Sequence, residues 1–333
     1  MTNFLLLSAA ALTIWFLAEK SKRRTHPVTG GAHPEISLPH ACEFELYAHS
    51  LSHCSRKVQL VMAELGLPYR FHPVHLIETG SYQTLSPAYL KINPSGLVPT
   101  LVHDGHPVYE SDDILAYAQR VAGADAPRLI PADADARAEM EAWLRFLSLS
   151  SANPIEAPES RAGSCIAPLS LPLFAVAIHK TAYFEILKGL LFHPDRKRPL
   201  LFLVMKAAGL RIFRARRFRE ALRANRDHMA RHLLKIEAAL ALRPWLGGDQ
   251  MSLADVSLAC LLLRLDEVGW LAHFMRNASL PQTGRYHARW KTRRSWREAI
   301  AAHAHPRVAA AIVELGRLQV ADADVRDAMF GTS

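Results

Sequence analysis

The order of apolar segments between residues 44 and 121 most constrains the fold. An alternating stretch that favours a short strand comes first, and a run with helical spacing follows until Gly66 and Pro68 end it. Further short strands come next, two of them joined by the hairpin turn signal Asp104-Gly105. We predict strands over residues 44–48, 69–76, 98–102 and 106–109, and helices over 58–65 and 110–121. This order predicts a mixed α/β domain over residues 43–124.

The second half of the chain has helical periodicity. Apolar residues recur at helical spacing over residues 133–149, 219–242 and 299–318. Ser252-Leu-Ala-Asp255 is a capping box, in which the serine caps a helix and the aspartate reaches back to the cap. We therefore predict an all-helical domain over residues 128–333, in which Ser252 and Asp255 have structural roles.

The chain begins with eighteen residues that carry no charge, and Lys20, Lys22, Arg23 and Arg24 follow closely. As a helix, this run is about 27 Å long, close to the thickness of a bilayer's hydrocarbon core. Because the positive charges follow the apolar run, the pattern favours a retained single-pass anchor over residues 1–24, with the folded domains in the cytoplasm. A cleaved leader is the alternative. Residues 25–42, rich in Pro and Gly, are predicted to be a linker.

Composition excludes several classes of protein. Half of the 333 residues are hydrophobic and 21% are charged, which excludes a wholly disordered chain. The net charge of +9 is gathered in clusters beside apolar segments, and no nucleic-acid-binding signature accompanies them. The clusters therefore favour an anionic membrane surface over nucleic acid. The four cysteines form no CxxC pair, and we predict neither a metal site nor a disulfide framework.

A specific resemblance lies in the hairpin region. The stretch Asn93-Pro-Ser-Gly-Leu-Val-Pro-Thr-Leu101, then Gly105, then Glu110-Ser-Asp-Asp-Ile-Leu-Ala-Tyr117 resembles the glutathione-binding half of cytosolic glutathione transferases, which has the thioredoxin fold. The resemblance implies that Val98, Pro99, Glu110 and Ser111 bind glutathione, with Pro99 in the cis form. A helix N-terminus at Ser111 suits a carboxylate. From the residue alone, an ordinary helix cap is the more common role for Ser111, but the combined motif favours ligand binding.

The reactive end is predicted at the start of the first helix of this domain. Ser52-His-Cys-Ser-Arg-Lys57 resembles the motif of zeta-class transferases, maleylacetoacetate isomerases and tetrachlorohydroquinone dehalogenases. The resemblance gives Ser52 the thiol-activating position, Cys54 the cysteine position and Lys57 the basic position. It therefore implies that Ser52 and Cys54 are catalytic and that Lys57 also binds glutathione. The chain departs from the motif at His53 and Gln59, which puts zeta-type isomerisation in doubt. A helix N-terminus and a serine hydroxyl both favour the thiolate form of glutathione, which is the nucleophile.

Each of these residues also has a structural interpretation. Ser52 is a good N-cap, and Cys54 is small enough to be a buried apolar residue. Lys57 fits a solvated helix face, and His53 is expected to be exposed. Cys54 has a second chemical interpretation, since it has the position to resolve a glutathionyl intermediate by thiol–disulfide exchange.

The segment over residues 152–218 is longer than the corresponding connection in standard transferases. Its apolar runs are interrupted by His179, Lys180, Glu185 and Lys188, so it is a poor spanning helix. The segment has two interpretations. It is either an amphipathic helix that lies in a membrane interface, or a helix that packs on the second domain and lines an apolar pocket. An enlarged segment here, with membrane attachment, also resembles the ganglioside-induced differentiation-associated proteins.

The sequence therefore predicts a glutathione transferase architecture with an N-terminal anchor. The expected function is glutathione-dependent transfer to hydrophobic electrophiles, by conjugation or reductive dehalogenation. The alternatives are a non-catalytic, transferase-like membrane or lipid-binding protein, and a thiol reductase that uses Cys54. The expected partners are glutathione, an apolar electrophile, membrane lipid and a second copy of the chain in a homodimer, without nucleic acid or metal.

Overall fold

The computed structural model describes residues 2–149 and 153–331. A helix, α1 (Thr2–Lys22), precedes a domain built on a five-stranded sheet with strand order β1-β5-β4-β2-β3, in which only β2 and β3 are parallel. The elements of this domain are β1 (Gly31–Ala32), β2 (Phe44–Ala48), α2 (His53–Glu64), β3 (Arg70–Pro73), α3 (Pro87–Ile92), β4 (Thr100–His103), β5 (His106–Tyr109) and α4 (Ser111–Val121). This is the predicted thioredoxin-like arrangement.

The predicted strands at residues 44–48 and 106–109 are confirmed to the residue. Strand β4 begins at Thr100 rather than at residue 98, because Pro99 has no N–H to donate to the ladder. Helix α2 begins at His53, five residues before the predicted start. The difference arises because residues 53–57 are mostly polar and show no apolar spacing, although Ser52 caps the helix.

Residues 25–42 connect α1 to the sheet and also form part of the domain. Gly31 and Ala32 pair antiparallel with Tyr109 and Val108 of β5, so β1 covers the edge of the sheet. Upstream of this pair, the backbone N–H of His26 donates to the carbonyl of Pro94 at 2.8 Å. The segment predicted as a linker is therefore anchored along its length, and it protects an edge that would otherwise be open to another strand.

The second domain is helical, as predicted. Its helices are α5 (Ala134–Leu147), α6 (Ala162–Ala177), α7 (Tyr183–Phe192), α8 (Lys197–Ala208), α9 (Arg216–Leu242), α10 (Leu253–Glu267), α11 (Trp270–Asn277), α12 (Pro281–Thr292), α13 (Arg294–Trp296), α14 (Pro306–Ala321) and α15 (Ala323–Phe330). The boundaries predicted near residues 124 and 128 fall between α4 and α5. The predicted start of the enlarged segment, at about residue 152, and the chain end at residue 333 lie outside the described residues.

Helix α10 is the centre of the molecule. Every residue from 253 to 265 is buried, and the helix contacts α2 of the first domain as well as α5 and α6. The predicted capping box is present: the Asp255 carboxylate accepts from the Ser252 N–H at 2.8 Å and from the Leu246 N–H at 2.9 Å. The box fixes where this central helix starts, and it has a structural role, as predicted.

The enlarged segment contains α6, α7, α8 and a 3₁₀ stretch over Gly209–Arg214. Within the described chain, residues Ala162–Lys180 are long and apolar enough to cross a membrane, but most of this stretch is buried inside the protein, as expected of a core helix. Helices α7 and α8 pack against each other, and α8 also contacts α6.

Helix α1 forms at the predicted place, and its apolar side chains Leu7, Leu12, Ile14, Trp15 and Leu17 are exposed. Neither its helicity nor its exposure establishes a membrane span. The N-terminal anchor therefore stays a prediction.

Candidate functional site

The candidate reactive serine lies at the junction of β2 and α2. The backbone turns at residues 49–51. Ser52 then caps α2, and its Oγ accepts a hydrogen bond from the Ser55 N–H at 3.2 Å. A hydroxyl has two acceptor lone pairs and one proton to donate, so capping leaves Ser52 able to donate to a bound sulfur. The structural and the chemical interpretations of Ser52 are therefore compatible.

The turn before Ser52 is held from both domains. The Arg56 side chain of α2 donates to the carbonyl of Ser50 at 2.5 Å, and Arg264 of α10 donates to the carbonyl of Leu51 at 2.5 Å. Both guanidinium groups also pair with Glu267, at 3.0 and 3.1 Å, and all three side chains are at least nine-tenths buried. We call Arg56, Arg264 and Glu267 the interdomain brace. It fixes the backbone that presents Ser52.

The predicted glutathione-binding residues surround the same helix end. The Val98–Pro99 bond is cis, as predicted. Because Tyr47 of β2 pairs with Thr100 of β4, Val98 and Pro99 lie beside the turn that follows β2. Across from them, Ser111 is the first residue of α4, and Glu110 before it has a positive φ of 61°. This conformation is uncommon for a residue with a side chain and is frequent at binding sites.

Cys54 lies on the first turn of α2, close to Ser111. The pKa of its thiol is raised above its ordinary value, because burial outweighs the nearby Lys57 ammonium and the Ser111 hydroxyl, which lower it. A thiol with a raised pKa is mostly protonated at neutral pH and is a poor nucleophile. The environment of Cys54 thus favours the apolar packing interpretation over that of a reactive thiolate.

The solvated interpretation of Lys57 is wrong. Its side chain is fully buried and its ammonium is paired with the Asp112 carboxylate in the first turn of α4, with Ser148 Oγ 3.4 Å away. Burial lowers the pKa of Lys57, but the Asp112 charge more than compensates, so the pKa is raised. An ammonium buried in this way does not face a ligand; it joins α2 to α4 and so positions Ser111.

Two domains of this chain match known protein-family models. The family model of the glutathione S-transferase N-terminal domain matches residues 51–121, and that of the C-terminal domain matches residues 219–311. The chain belongs to the glutathione S-transferase superfamily. The two matched ranges contain the Ser52 motif, the Glu110-Ser111 pair and the capping box. The region between the two matches contains α6, α7 and α8.

Several curated relatives carry transferase names. Glutathione S-transferase TCHQD of Arabidopsis thaliana is 25% identical over 228 residues, which are 66% of this chain and 76% of that protein. Maleylacetoacetate isomerase of Rattus norvegicus is 36% identical over 93 residues, 28% of this chain and 42% of the isomerase. The match to the isomerase thus spans less than half of that relative. Such relatives indicate a glutathione transferase-like enzyme.

Two further comparisons extend this picture. FtsZ-localized protein A of Caulobacter vibrioides is 27% identical over 231 residues, 68% of this chain and 79% of that protein. The crystal structure of a beta-etherase from Sphingobium sp. strain SYK-6 superposes with a TM-score of 0.64 at 21% identity, covering 78% of this chain and all of the other. The second comparison shows that the two chains share a fold.

His53 is not exposed, contrary to expectation. Its side chain is 7% exposed and packs between α2 and α10, near the charged groups of Lys57 and Arg264. Burial first, and then these two charges, lower its pKa to about 3, so the imidazole is neutral. The sequence missed this because the residues that cover His53 come from α10, about two hundred positions further along the chain.

The described residues also contain one group of three histidines, His49, His75 and His305, whose ring nitrogens lie within 4.8 Å of one another. In His49, Nδ1 accepts from the Leu51 N–H at 2.9 Å and Nε2 lies 3.1 Å from the Thr79 hydroxyl. Burial first, and then nearby histidines and arginines, lower the pKa of His49 to about 3. Both nitrogens of His49 are thus engaged in a cationic neighbourhood, which disfavours a metal ion. Whether the protein is free of metal stays a prediction.

Proposed function

We propose that this protein is a membrane-anchored, glutathione-dependent transferase that acts on hydrophobic electrophiles, by conjugation or by reductive dehalogenation. The observation that carries the proposal is the meeting of two helix N-termini, with Ser52 at the start of α2 and Glu110-Ser111 at the start of α4. One end suits a thiolate and the other suits a carboxylate, and glutathione contains both groups.

In the proposed reaction, glutathione is the substrate whose thiol becomes the nucleophile. Ser52 donates a hydrogen bond to the sulfur, and the positive end of α2 further favours the thiolate. In conjugation, the sulfur forms a bond to an electrophilic carbon and the leaving group departs with the bonding electrons. Glu110 and Ser111 hold the γ-glutamyl end, and the backbone of Val98 pairs with the peptide as an added strand would.

Lys57 and Cys54 take supporting roles in this proposal. Lys57 positions Ser111 through Asp112 and does not touch glutathione. The raised pKa of Cys54 argues against the thiol reductase alternative, because resolving a mixed disulfide requires a thiolate. If Cys54 resolves a glutathionyl intermediate all the same, Cys54→Ala removes reductive activity and leaves conjugation intact.

The anchor is part of the proposal. Helix α1 is apolar and exposed, and the exposed Lys20, Lys22 and Arg24 stand at its end, as at the cytoplasmic side of a spanning helix. We therefore place the folded domains on the cytoplasmic face of a membrane, where apolar electrophiles concentrate. A homodimer, which is frequent among glutathione transferases, remains a prediction.

The first test is glutathione binding by calorimetry on the full chain in detergent, beside the double variant Glu110→Ala, Ser111→Ala. Binding that is lost in the folded double variant supports the site. If the folded parent does not bind glutathione, the transferase proposal is wrong.

The second test separates the chemistry of Ser52 from its capping role. Ser52→Ala should lower kcat/KM for conjugation by the value of a hydrogen bond to a charged group, about 1.5–3 kcal/mol, or roughly ten- to a hundredfold. The matched control is Ser86→Ala, because Ser86 caps α3 through the Tyr89 N–H at 3.2 Å, as Ser52 caps α2. Equal losses in the two variants would mean that Ser52 acts only as a cap.

A non-catalytic, transferase-like membrane protein is the second candidate function. It is favoured by the relative named for its localisation to FtsZ, whose match of 231 residues is longer than either family domain alone. Under this alternative the chain binds glutathione or lipid without turnover, and Ser52→Ala leaves its properties unchanged.

A further inference from the structure

The pair of helices α7 and α8 has an apolar face that no other part of the described chain covers. On α7, Tyr183, Phe184, Leu187 and Leu191 are exposed, Phe184 by 59% of its surface. At about 100° per residue these four side chains fall within an arc of roughly 100°. Ile186 and Gly189, which are buried, lie on the opposite side of the helix. The helix is therefore amphipathic with its apolar stripe facing outward.

Helix α8 repeats the pattern. Leu200 and Val204, one turn apart, are 56% and 44% exposed, whereas Phe202 and Met205 are buried. Only residues 193–196 join the two helices, and the helices contact each other. We call α7 and α8 together the foot. Two adjacent helices that both present apolar side chains outward form a contiguous surface of the kind that marks an interaction site.

The foot is continuous with the N-terminal helix. The rings of Phe16 on α1 and Phe192 at the end of α7 are 5.9 Å apart, and the Arg23 guanidinium lies 5.2 Å from the centre of the same Phe192 ring. Phe16 precedes Arg23 by seven residues, about 10 Å along a helix. If Arg23 lies among lipid headgroups, Phe192 lies at the boundary between headgroups and acyl chains, the depth at which amphipathic helices bind.

The charges around the foot suit an anionic surface. Residues 179–208 contain six Lys or Arg and two Asp or Glu. Lys180, Lys188, Arg196 and Lys197 are exposed, and the exposed Lys20, Lys22 and Arg24 extend the set at the end of α1. Each basic side chain near an anionic leaflet contributes about 1 kcal/mol of attraction. The Lys188 ammonium also lies over the Phe184 ring, 4.6 Å from its centre, so a cation and an aromatic ring share one surface.

We propose that the foot binds the surface of an anionic bilayer, with the apolar stripes of α7 and α8 in the interface and the basic side chains at the headgroups. This inference rests on the anchored transferase proposed above, since α1 brings the foot to the membrane. Under this proposal each interpretation of the enlarged segment applies to a different part of it: α6 packs into the core, whereas α7 and α8 contact lipid.

The test uses the full chain in vesicles of phosphatidylcholine mixed with phosphatidylglycerol. In a background with the exposed Cys42 replaced by Ser, an environment-sensitive dye is attached at Leu187→Cys, at Leu200→Cys or, as the matched control, at Leu242→Cys. Leu242 is also apolar and is 82% exposed, but it ends α9 on another part of the surface. Lipids that carry a nitroxide near the headgroup should quench the dyes at 187 and 200 and leave the dye at 242 unquenched.

The outcomes separate the foot from the anchor. If the chain floats with vesicles and the dyes at 187 and 200 keep their emission, the anchor stands and the foot is refuted. Quenching at 242 as strong as at 187 also refutes it, because the chain then has no preferred face. If the full chain does not float, both the anchor and the foot are wrong, while glutathione conjugation still reports on the transferase site. In vesicles of phosphatidylcholine alone, weaker quenching is expected, because the basic side chains around the foot then have no anionic headgroups to bind.

Discussion

Replacing Glu267 with Gln removes the negative charge of the interdomain brace and keeps the shape of the side chain. The Glu267 carboxylate accepts a hydrogen bond from Arg56 at 3.0 Å and forms an ion pair with Arg264 at 3.1 Å. The Arg56 and Arg264 side chains are only 6% and 3% exposed, so water cannot take the place of the carboxylate. The variant therefore leaves two buried cations beside a neutral amide.

The expected cost follows from this burial. Removing one partner of a buried ion pair destabilises a protein by about 3–5 kcal/mol, mostly through the uncompensated charge that remains. At roughly 2–4 °C per kcal/mol for a large domain, the melting temperature should fall by about 6–20 °C. The pKa of Arg56 agrees with this reasoning in direction, because burial lowers it and the Glu267 charge opposes that effect.

The catalytic consequence is separable from the loss of stability. Arg56 and Arg264 hold the carbonyls of Ser50 and Leu51, directly before Ser52. If Glu267→Gln weakens these two hydrogen bonds, kcat/KM for glutathione conjugation should fall even at a temperature where the variant is still folded.

The assay is thermal unfolding followed by circular dichroism, with kinetics on the same samples. The matched control is Glu139→Gln, which pairs with Arg243 at the similar distance of 2.9 Å but on the surface, with both side chains more than 40% exposed. This control should cost less than about 1 kcal/mol. A Glu267→Gln melting temperature indistinguishable from that of Glu139→Gln would refute the reasoning. Replacing Glu267 together with both arginines by apolar residues should restore much of the stability.

Three single substitutions test other contacts in the structure. Asp112→Asn leaves the buried Lys57 ammonium without its charged partner and should cost about 3–5 kcal/mol. Because the pKa of Asp112 is lowered by Lys57, denaturant titrations should show the full difference above about pH 5 and a shrinking difference as the pH falls through the folded-state pKa of Asp112. Gly30→Val places a Cβ 2.0 Å from Asp113 Oδ2, so the β1 amides should lose their protection from hydrogen exchange. Unchanged protection would contradict this prediction and would mean that the Asp113 side chain moves aside. Asp255→Ala removes a carboxylate that accepts four hydrogen bonds and should lower the unfolding free energy by about 3–5 kcal/mol; a loss within 1 kcal/mol would mean that water replaces it.

The sequence predicted those parts of the fold and the site that depend on local pattern. The hairpin turn, the cap at Ser52 and the capping box at Ser252 each need only a few neighbouring residues, and the structure has all three. The Glu110-Ser111 pair could be placed for the same reason, since it opens a helix directly after a strand. These elements determine where a ligand would lie.

The burial of His53 and Lys57 could not be predicted, because it depends on segments distant along the chain. Helix α10 covers His53, and α4 supplies the carboxylate that pairs with Lys57. One signal was present: Arg264 is a lone charge in the otherwise apolar run of residues 256–265, and such a residue is almost never buried without a partner. Strand β1, two residues long, is too short to have a period and is specified by the open edge of β5.

The foot and the candidate site are joined by one segment of the first domain, residues 76–82, and this connection gives the enlarged segment its significance. On the side of the foot, the Thr181 hydroxyl donates to the Ile77 carbonyl at 2.9 Å and Gly189 of α7 lies against the Tyr82 ring. On the side of the site, the Thr79 hydroxyl lies 3.1 Å from Nε2 of His49, which begins the turn that leads to Ser52. A foot seated on a bilayer would therefore fix the orientation of this wall of the site relative to the lipid surface. Because an apolar electrophile reaches the protein from that surface, the position of the foot beside this wall, rather than on the far side of the helical domain, is what the proposed function requires.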